Sequence, residues 1–278
     1  MKSKLLPALA ALSLSLLTNH SACAADTTGA EAELKGLVTK VESKLKDGKK
    51  TEADLAEELK AFDTLLAKHK DEKTDEVAQI LLMKGMLYLQ VLDNTDKGVA
   101  AIQQIKRDFP DTKPGKEADK ILESVKAQEE GKKISRSLVE GSKFPDFEEK
   151  DVAGKPLSIA GYKGKVVLVD FWATWCGPCV MELPNVLETY KKHHGKGFEI
   201  IGISLDKDKE KLTNFTKAKE MSWQQFFDGK MWENKLAVKY GIHSIPMTYL
   251  LDKEGKIIGQ GLRGEELEGA VDKALAKK

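Results

Sequence analysis

Neither sign of charge prevails in this chain. Its 45 lysines and arginines stand against 44 aspartates and glutamates, a formal net charge of +1. With no basic field there is no electrostatic footprint for nucleic acid, and with no acidic tail there is none for a cationic partner. Long apolar runs are missing beyond the N-terminus. Cysteine is scarce: only Cys23, Cys176 and Cys179 are present. No second Cys pair or Cys/His pair at ligand spacing accompanies them, so the four ligands of an ordinary zinc site are lacking and no metal is expected.

The one apolar run follows Lys2 and Lys4 and covers residues 5–17. It is too short to span a bilayer comfortably and has the charge-then-apolar order of a secretory signal. Ala22-Cys23-Ala24 places small residues for cleavage after Ala24, so residues 1–24 are expected to be a signal peptide and the mature protein to be exported, periplasmic or extracytoplasmic. The alternative is a lipoprotein signal with Cys23 lipidated, which would be the only expected membrane contact. In either case Cys176 and Cys179 keep no spare partner. They can pair with each other or with another molecule, which favours catalysis over stapling.

At 278 residues the chain has room for about two domains. Residues 25–136 read as an all-α domain of helical hairpins. Leu34, Leu37, Val38, Val41 and Leu45 follow helical spacing, and so do Leu55, Leu59, Phe62 and Leu66 after a capping-box-like Thr51/Asp54 start. Further helices are expected over 75–91, from about 97 to Pro110, and around Ala118, Ile121, Leu122 and Val125. Gly85, Tyr88, Ala101, Phe109 and Pro110 give this domain a faint tetratricopeptide-like pattern. It is either a protein-binding or dimerising module, or a spacer that merely folds. A linker is expected near 129–133. From 137 to 278 short extended segments and helices alternate, which argues for a sheet covered on both faces.

Within that second part, Trp175-Cys176-Gly177-Pro178-Cys179 ends an apolar strand and opens a helix. A helix N-terminus offers unpaired N–H groups and partial positive charge, which stabilise a thiolate. Two intervening residues let the sulfurs close and reopen a disulfide. The expected chemistry is thiol–disulfide exchange.

The stretch 169–179 resembles the active-site strand and loop of the thioredoxin superfamily. Phe144-Pro145-Asp146-Phe147, Lys163-Gly164-Lys165, Glu182-Leu183-Pro184, Ser244-Ile245-Pro246-Met247-Thr248 and 252–256 make it similar to the exported TlpA/ResA-type branch. The resemblance covers about 138–278 and implies an α/β thioredoxin fold with a central mixed sheet. It implies that Cys176 is the exposed nucleophile and that Cys179, one turn deeper, resolves the mixed disulfide. Asp170 stands where the family keeps a buried carboxylate able to take the proton of Cys179. Glu182 matches an acidic residue thought to tune cysteine acidity. Pro246 matches the cis-proline facing the cysteines, and with Ile245 it would present backbone groups to an extended substrate. Trp175 would flank the thiolate, and Trp172 would pack as core.

Gly177-Pro178 between the sulfurs goes with a reducing protein. The resemblance therefore implies disulfide-containing protein substrates, with apocytochrome c haem-site thiols typical of the branch, and a membrane thiol as electron donor. No cofactor is expected. His193-His194 before Gly195 reads as a helix C-terminus with side chains suited to the dipole. Two alternatives stay open. One is a peroxiredoxin-like thiol peroxidase, although Thr174 is one position out of place for that chemistry. The other is a binding module whose helical domain carries the main role.

Overall fold

The computed structural model describes residues 29–277. The signal-peptide cleavage site and the lipidation alternative at Cys23 lie outside the described residues. The chain divides into two compact units, 1–122 and 123–278.

In the first unit, helices α1 (Gly29–Lys46), α2 (Ala56–Lys68), α3 (Asp75–Gln90) and α4 (Thr95–Asp108) bury one aliphatic stripe each. Thr74 and Asn94 cap α3 and α4 by accepting the N–H of Val77 and Lys97. Thr51 and Asp54 do form a reciprocal box, each backbone N–H donating to the other's side chain at 3.1 Å. It closes a separate turn, and α2 begins only at Ala56. Helices α3 and α4 meet through glycine: a Cβ on Gly98 would lie 2.4 Å from Leu89 Cγ, so only a residue without one permits this approach.

Helix α5 (Lys113–Ser137) runs straight through the expected linker at 129–133. Gly131, inside the segment expected to be a linker, is a packing residue. A Cβ there would sit 2.1 Å from the carbonyl oxygen of Val238. Close approach to the turn at 238–241, not flexibility, explains the glycine. The change of unit at 122/123 comes before the 136/137 transition expected from composition.

The second unit is built on a five-stranded mixed sheet: β3 (Val166–Trp172), β4 (Phe198–Ser204), β5 (Gln224–Phe227), β6 (Met247–Leu251) and β7 (Ile257–Gln260), ordered β5-β4-β3-β6-β7. A small β1 (Glu149–Lys150) and β2 (Pro156–Leu157) pair precedes it. β3, β4 and β5 are parallel, while β6 and β7 run antiparallel to their neighbours. Helices α6 (Gly177–His193), α7 (Lys209–Ala218), α8 (Lys235–Lys239) and α9 (Gly264–Ala276) accompany it. This is the thioredoxin fold. β3 is buried at every position, as a central strand covered on both faces must be.

Strand β5 carried no apolar run. Gln225 is buried because its side chain lies over Gly202 and accepts the Trp172 indole N–H at 3.0 Å. Trp172 is thereby a core residue with its polar edge satisfied. At the far end of α6 the left-handed glycine is Gly197, after a 3₁₀ turn over His194–Lys196, rather than Gly195.

Candidate active site

Strand β3 delivers the chain to the motif, and one buried carboxylate fixes the delivery. Asp206, just past β4, accepts the Thr174 backbone N–H, the Thr174 hydroxyl at 2.6 Å and the Ser204 hydroxyl at 2.8 Å. Cys176 is the N-cap of α6, and its Sγ accepts the Cys179 N–H at 3.3 Å. Gly177 and Pro178 form the exposed first turn, with proline where its missing N–H costs nothing.

The two sulfurs are joined in a disulfide, with Cα atoms 5.3 Å apart. Cys176 is 6% exposed and Cys179 7%. The expected contrast between an exposed and a deeper cysteine is therefore absent in the bridged form. In the joined pair both sulfurs share one shelter. When the bond opens, the Cys179 N–H and the helix N-terminus remain in place to hold negative charge on Cys176.

Beneath the bridge lies a small recess lined by Asp170, Cys179, Glu182, Pro246, Thr248 and Arg263 among others. Asp170 projects from mid-β3 and is only 8% exposed. Burial pushes its carboxyl up to about 7, and the negative charge of Glu182 adds to the rise. Glu182 is half-buried and tied down: Oε1 accepts the Gly264 N–H at 2.6 Å, and Oε2 accepts from Asn185 at 3.3 Å. It thus sits at the N-terminus of α9, where a carboxylate is favoured. The Ile245–Pro246 peptide bond is cis. Ile245 and Pro246 are half-buried, and Ile245 packs against the core of this unit. Trp175 lies outside the recess, 47% exposed, with its ring 6.0 Å from that of Trp232 in a T-shaped pair.

Cys179, Asp170, Glu182 and Pro246, named from sequence, thus meet in one recess, and Cys176, Gly177, Pro178 and Trp175 stand at its bridge and rim. Sequence reasoning missed Thr248, Arg263, Asp206 and Trp232. Thr248 pairs directly with Asp170 across the β3–β6 ladder, a placement visible only once the strands are registered. Its buried hydroxyl has no hydrogen-bond partner. Asp206 could have been suspected as an acid ending an apolar strand. Trp232 gives no signal in one dimension.

A disulfide at a helix N-terminus above a buried carboxylate, on a thioredoxin fold, defines a thiol–disulfide oxidoreductase. Comparison with known proteins narrows that class. Residues 140–260 match the AhpC/TSA family. The chain is 34% identical over 137 residues to the thiol-disulfide oxidoreductase ResA of Bacillus thuringiensis subsp. konkukian, covering 49% of this chain and 77% of the relative. It is 32% identical over 122 residues to ResA of Bacillus subtilis, covering 44% and 66%. Among solved structures, the thioredoxin domain of a thiol-disulfide oxidoreductase from Bacteroides vulgatus is 36% identical, with a TM-score of 0.45 over 49% of this chain and 98% of that one. Through its second unit the chain belongs to the family of ResA thiol-disulfide oxidoreductases.

Proposed function

We propose that this protein is an exported reductase of protein disulfides, with Cys176 as nucleophile and Cys179 as resolving thiol. The Cys176 thiolate attacks one sulfur of a substrate disulfide, forming a mixed disulfide and releasing the other sulfur as a thiolate. Cys179 then gives its proton to Asp170, through solvent in the recess, and its thiolate attacks Cys176 Sγ. The second substrate sulfur leaves with the bonding electron pair. The substrate has gained two electrons, and the enzyme is left with the closed Cys176–Cys179 bridge. An external thiol donor, in this reading at the membrane, must reopen it.

One observation carries the reading: the Asp170 carboxyl, raised to about 7 by burial, lines the same recess as Cys179. A carboxylate with ordinary acidity would be a poor base for a thiol near neutrality, whereas one near 7 can accept and return a proton. Pro246 and Ile245, with Trp175, Gly177 and Pro178 around the bridge, would hold an extended substrate segment. Haem-attachment cysteines of apocytochrome c are the substrate type the family resemblance points to, and export rests on the N-terminal pattern of residues 1–24.

The test is covalent trapping. A Cys179→Ala variant should stall as a mixed disulfide through Cys176, and mass spectrometry should identify extracytoplasmic proteins with paired cysteines. A variant that traps nothing while the intact protein still turns over disulfides would overturn the assigned roles. Because a peroxiredoxin-like thiol peroxidase is the alternative reading, peroxide consumption is measured alongside. Rapid peroxide-dependent oxidation of Cys176, faster than disulfide exchange, would favour that alternative.

A further inference from the structure

Helix α6 starts at the redox bridge and ends, 17 residues later, at His193, about 25 Å away at 1.5 Å per residue. His193 is 1% exposed, yet neither of its ring nitrogens has a hydrogen-bond partner. A buried imidazole with both nitrogens unanswered carries a desolvation cost that native structures rarely leave standing. The ring is not facing hydrocarbon alone. Its Nε2 lies 3.5 Å from Asp272 Oδ1 on α9. That is too long for a hydrogen bond. Glu268 stands one turn earlier on α9, so the two carboxylates share a face. Ligand atoms of His193, Glu268 and Asp272 all lie within 4.8 Å of one another.

Two donors bound to a single tetrahedral ion, with bonds of about 2.0–2.2 Å, sit roughly 3.4 Å apart. The Nε2–Oδ1 separation suits a shared cation better than a shared proton. We propose that His193, Glu268 and Asp272 bind a divalent transition-metal cation of the zinc type. A neutral imidazole and two carboxylates balance a charge of +2, and an imidazole donor selects zinc-like ions over calcium or magnesium, which prefer oxygen alone. Three protein ligands leave a fourth position for water. Lys192 competes for the site, because its ammonium is paired with Glu268 and must release one oxygen when the ion arrives. The bound ion staples the C-terminal end of α6 to α9, whose N-terminal end is already held to α6 by Glu182. The inference is independent of the direction of thiol exchange.

The test uses the full chain with the Cys176–Cys179 bridge closed and the Cys23 thiol alkylated, so that no free thiol binds the probe. Zinc is titrated by calorimetry and cobalt by visible absorption, with the His193 ring followed by NMR. The expected result is one ion per chain, perturbation of His193 rather than His20, His69, His194 or His243, and a melting temperature raised by roughly 5–10 °C at about 100-fold excess over Kd. Glu268→Gln and Asp272→Asn, on less buried positions than His193, should each weaken binding at least about tenfold. Lys192→Ala should tighten it several-fold. No saturable binding, or binding unchanged by either carboxylate substitution, overturns the proposal and leaves His193 as a buried ring weakly paired to Asp272.

Discussion

The two units solve the problem of buried polarity in opposite ways. The described part of the helical unit buries only Glu58 and Thr112 among polar side chains, and both are answered. Lys44 pairs with Glu58 at 2.8 Å, and Thr112 closes its own turn with Phe109 and Gly115. The redox unit buries ten polar side chains, including Asp170, His193, Asp206, Asn234 and Thr248. Some are as well satisfied as any capping residue: Asn234 caps α8 and donates to Ser204, and Asp206 holds Thr174. Asp170, Thr248 and His193 are not. A buried group without a partner is a cost to folding; among the described residues the redox unit carries it at Thr248 and both nitrogens of His193, with one nitrogen each of Trp223 and Gln225, whereas the helical unit leaves only His69 Nε2 unanswered. One region is built to fold. The other gives up some stability to hold reactive groups.

That contrast can be broken by measurement, and the largest effect comes first. Cys179→Ala should lower steady-state disulfide turnover by about 10³-fold or more, since the two sulfurs act as a unit, while far-UV and thermal signatures of the helical unit stay unchanged. A comparable loss from a substitution in the helical core would dissolve the distinction.

Asp170→Asn should reduce exchange near neutrality by roughly 10²-fold and erase an inflection near pH 7 in the rate profile. Its effect on stability has the opposite sign. The folded carboxyl holds its proton up to about 7, whereas the unfolded one loses it near 3.8. Between those values the native state binds the extra proton, so stability falls as pH rises and the full penalty is present above 7. The variant should therefore be more stable than the parent at pH 8, by roughly 2–4 kcal/mol, and indistinguishable from it near pH 3. Denaturant melts at both pH values check this. A variant less stable at pH 8 would mean that Asp170 is satisfied in a way the recess does not reveal.

Ile102→Ala empties a fully buried site in the helical unit and should cost about 2–4 kcal/mol there, with exchange kinetics unaltered. Slowed exchange at temperatures where the variant is still folded would give that unit a share in catalysis. The smallest effect is expected of Glu182→Gln. The amide can still accept the Gly264 N–H, but the charge that raises Asp170 is gone. The pH-rate inflection should move downward by a fraction of a unit with little change in maximal rate.

Much of the redox unit was legible because its elements obey simple periods. Val166 to Phe171 reads as a buried strand, the cysteine pair marks a helix start, and residues 247–251 read as the short strand that becomes β6. The site residues that sequence could name are those fixed by local position around Cys176 and Pro246. Those it could not name depend on registration. Thr248 meets Asp170 only across a ladder, Gln225 is buried only because Gly202 leaves room, and Glu268 and Asp272 find His193 only when α6 and α9 pack. Glycine misled for the same reason. Gly131 among charged residues has the composition of a joint, yet it marks a contact with the backbone at Val238. In the helical unit, one-sided stripes located every helix, but the capping box at Thr51 promised a start one turn too early, because a closed turn and a helix onset share the same local chemistry.

The clamp of Asp206 on Thr174 sets what can change when the bridge cycles. A sheltered carboxylate accepts the Thr174 backbone N–H on both oxygens and the Thr174 hydroxyl on one, pinning the chain one step before Trp175, and none of these bonds involves sulfur. The anchor at Thr174 therefore does not depend on whether the sulfurs are joined, and what must differ between the two oxidation states is the charge and reach of the sulfurs themselves.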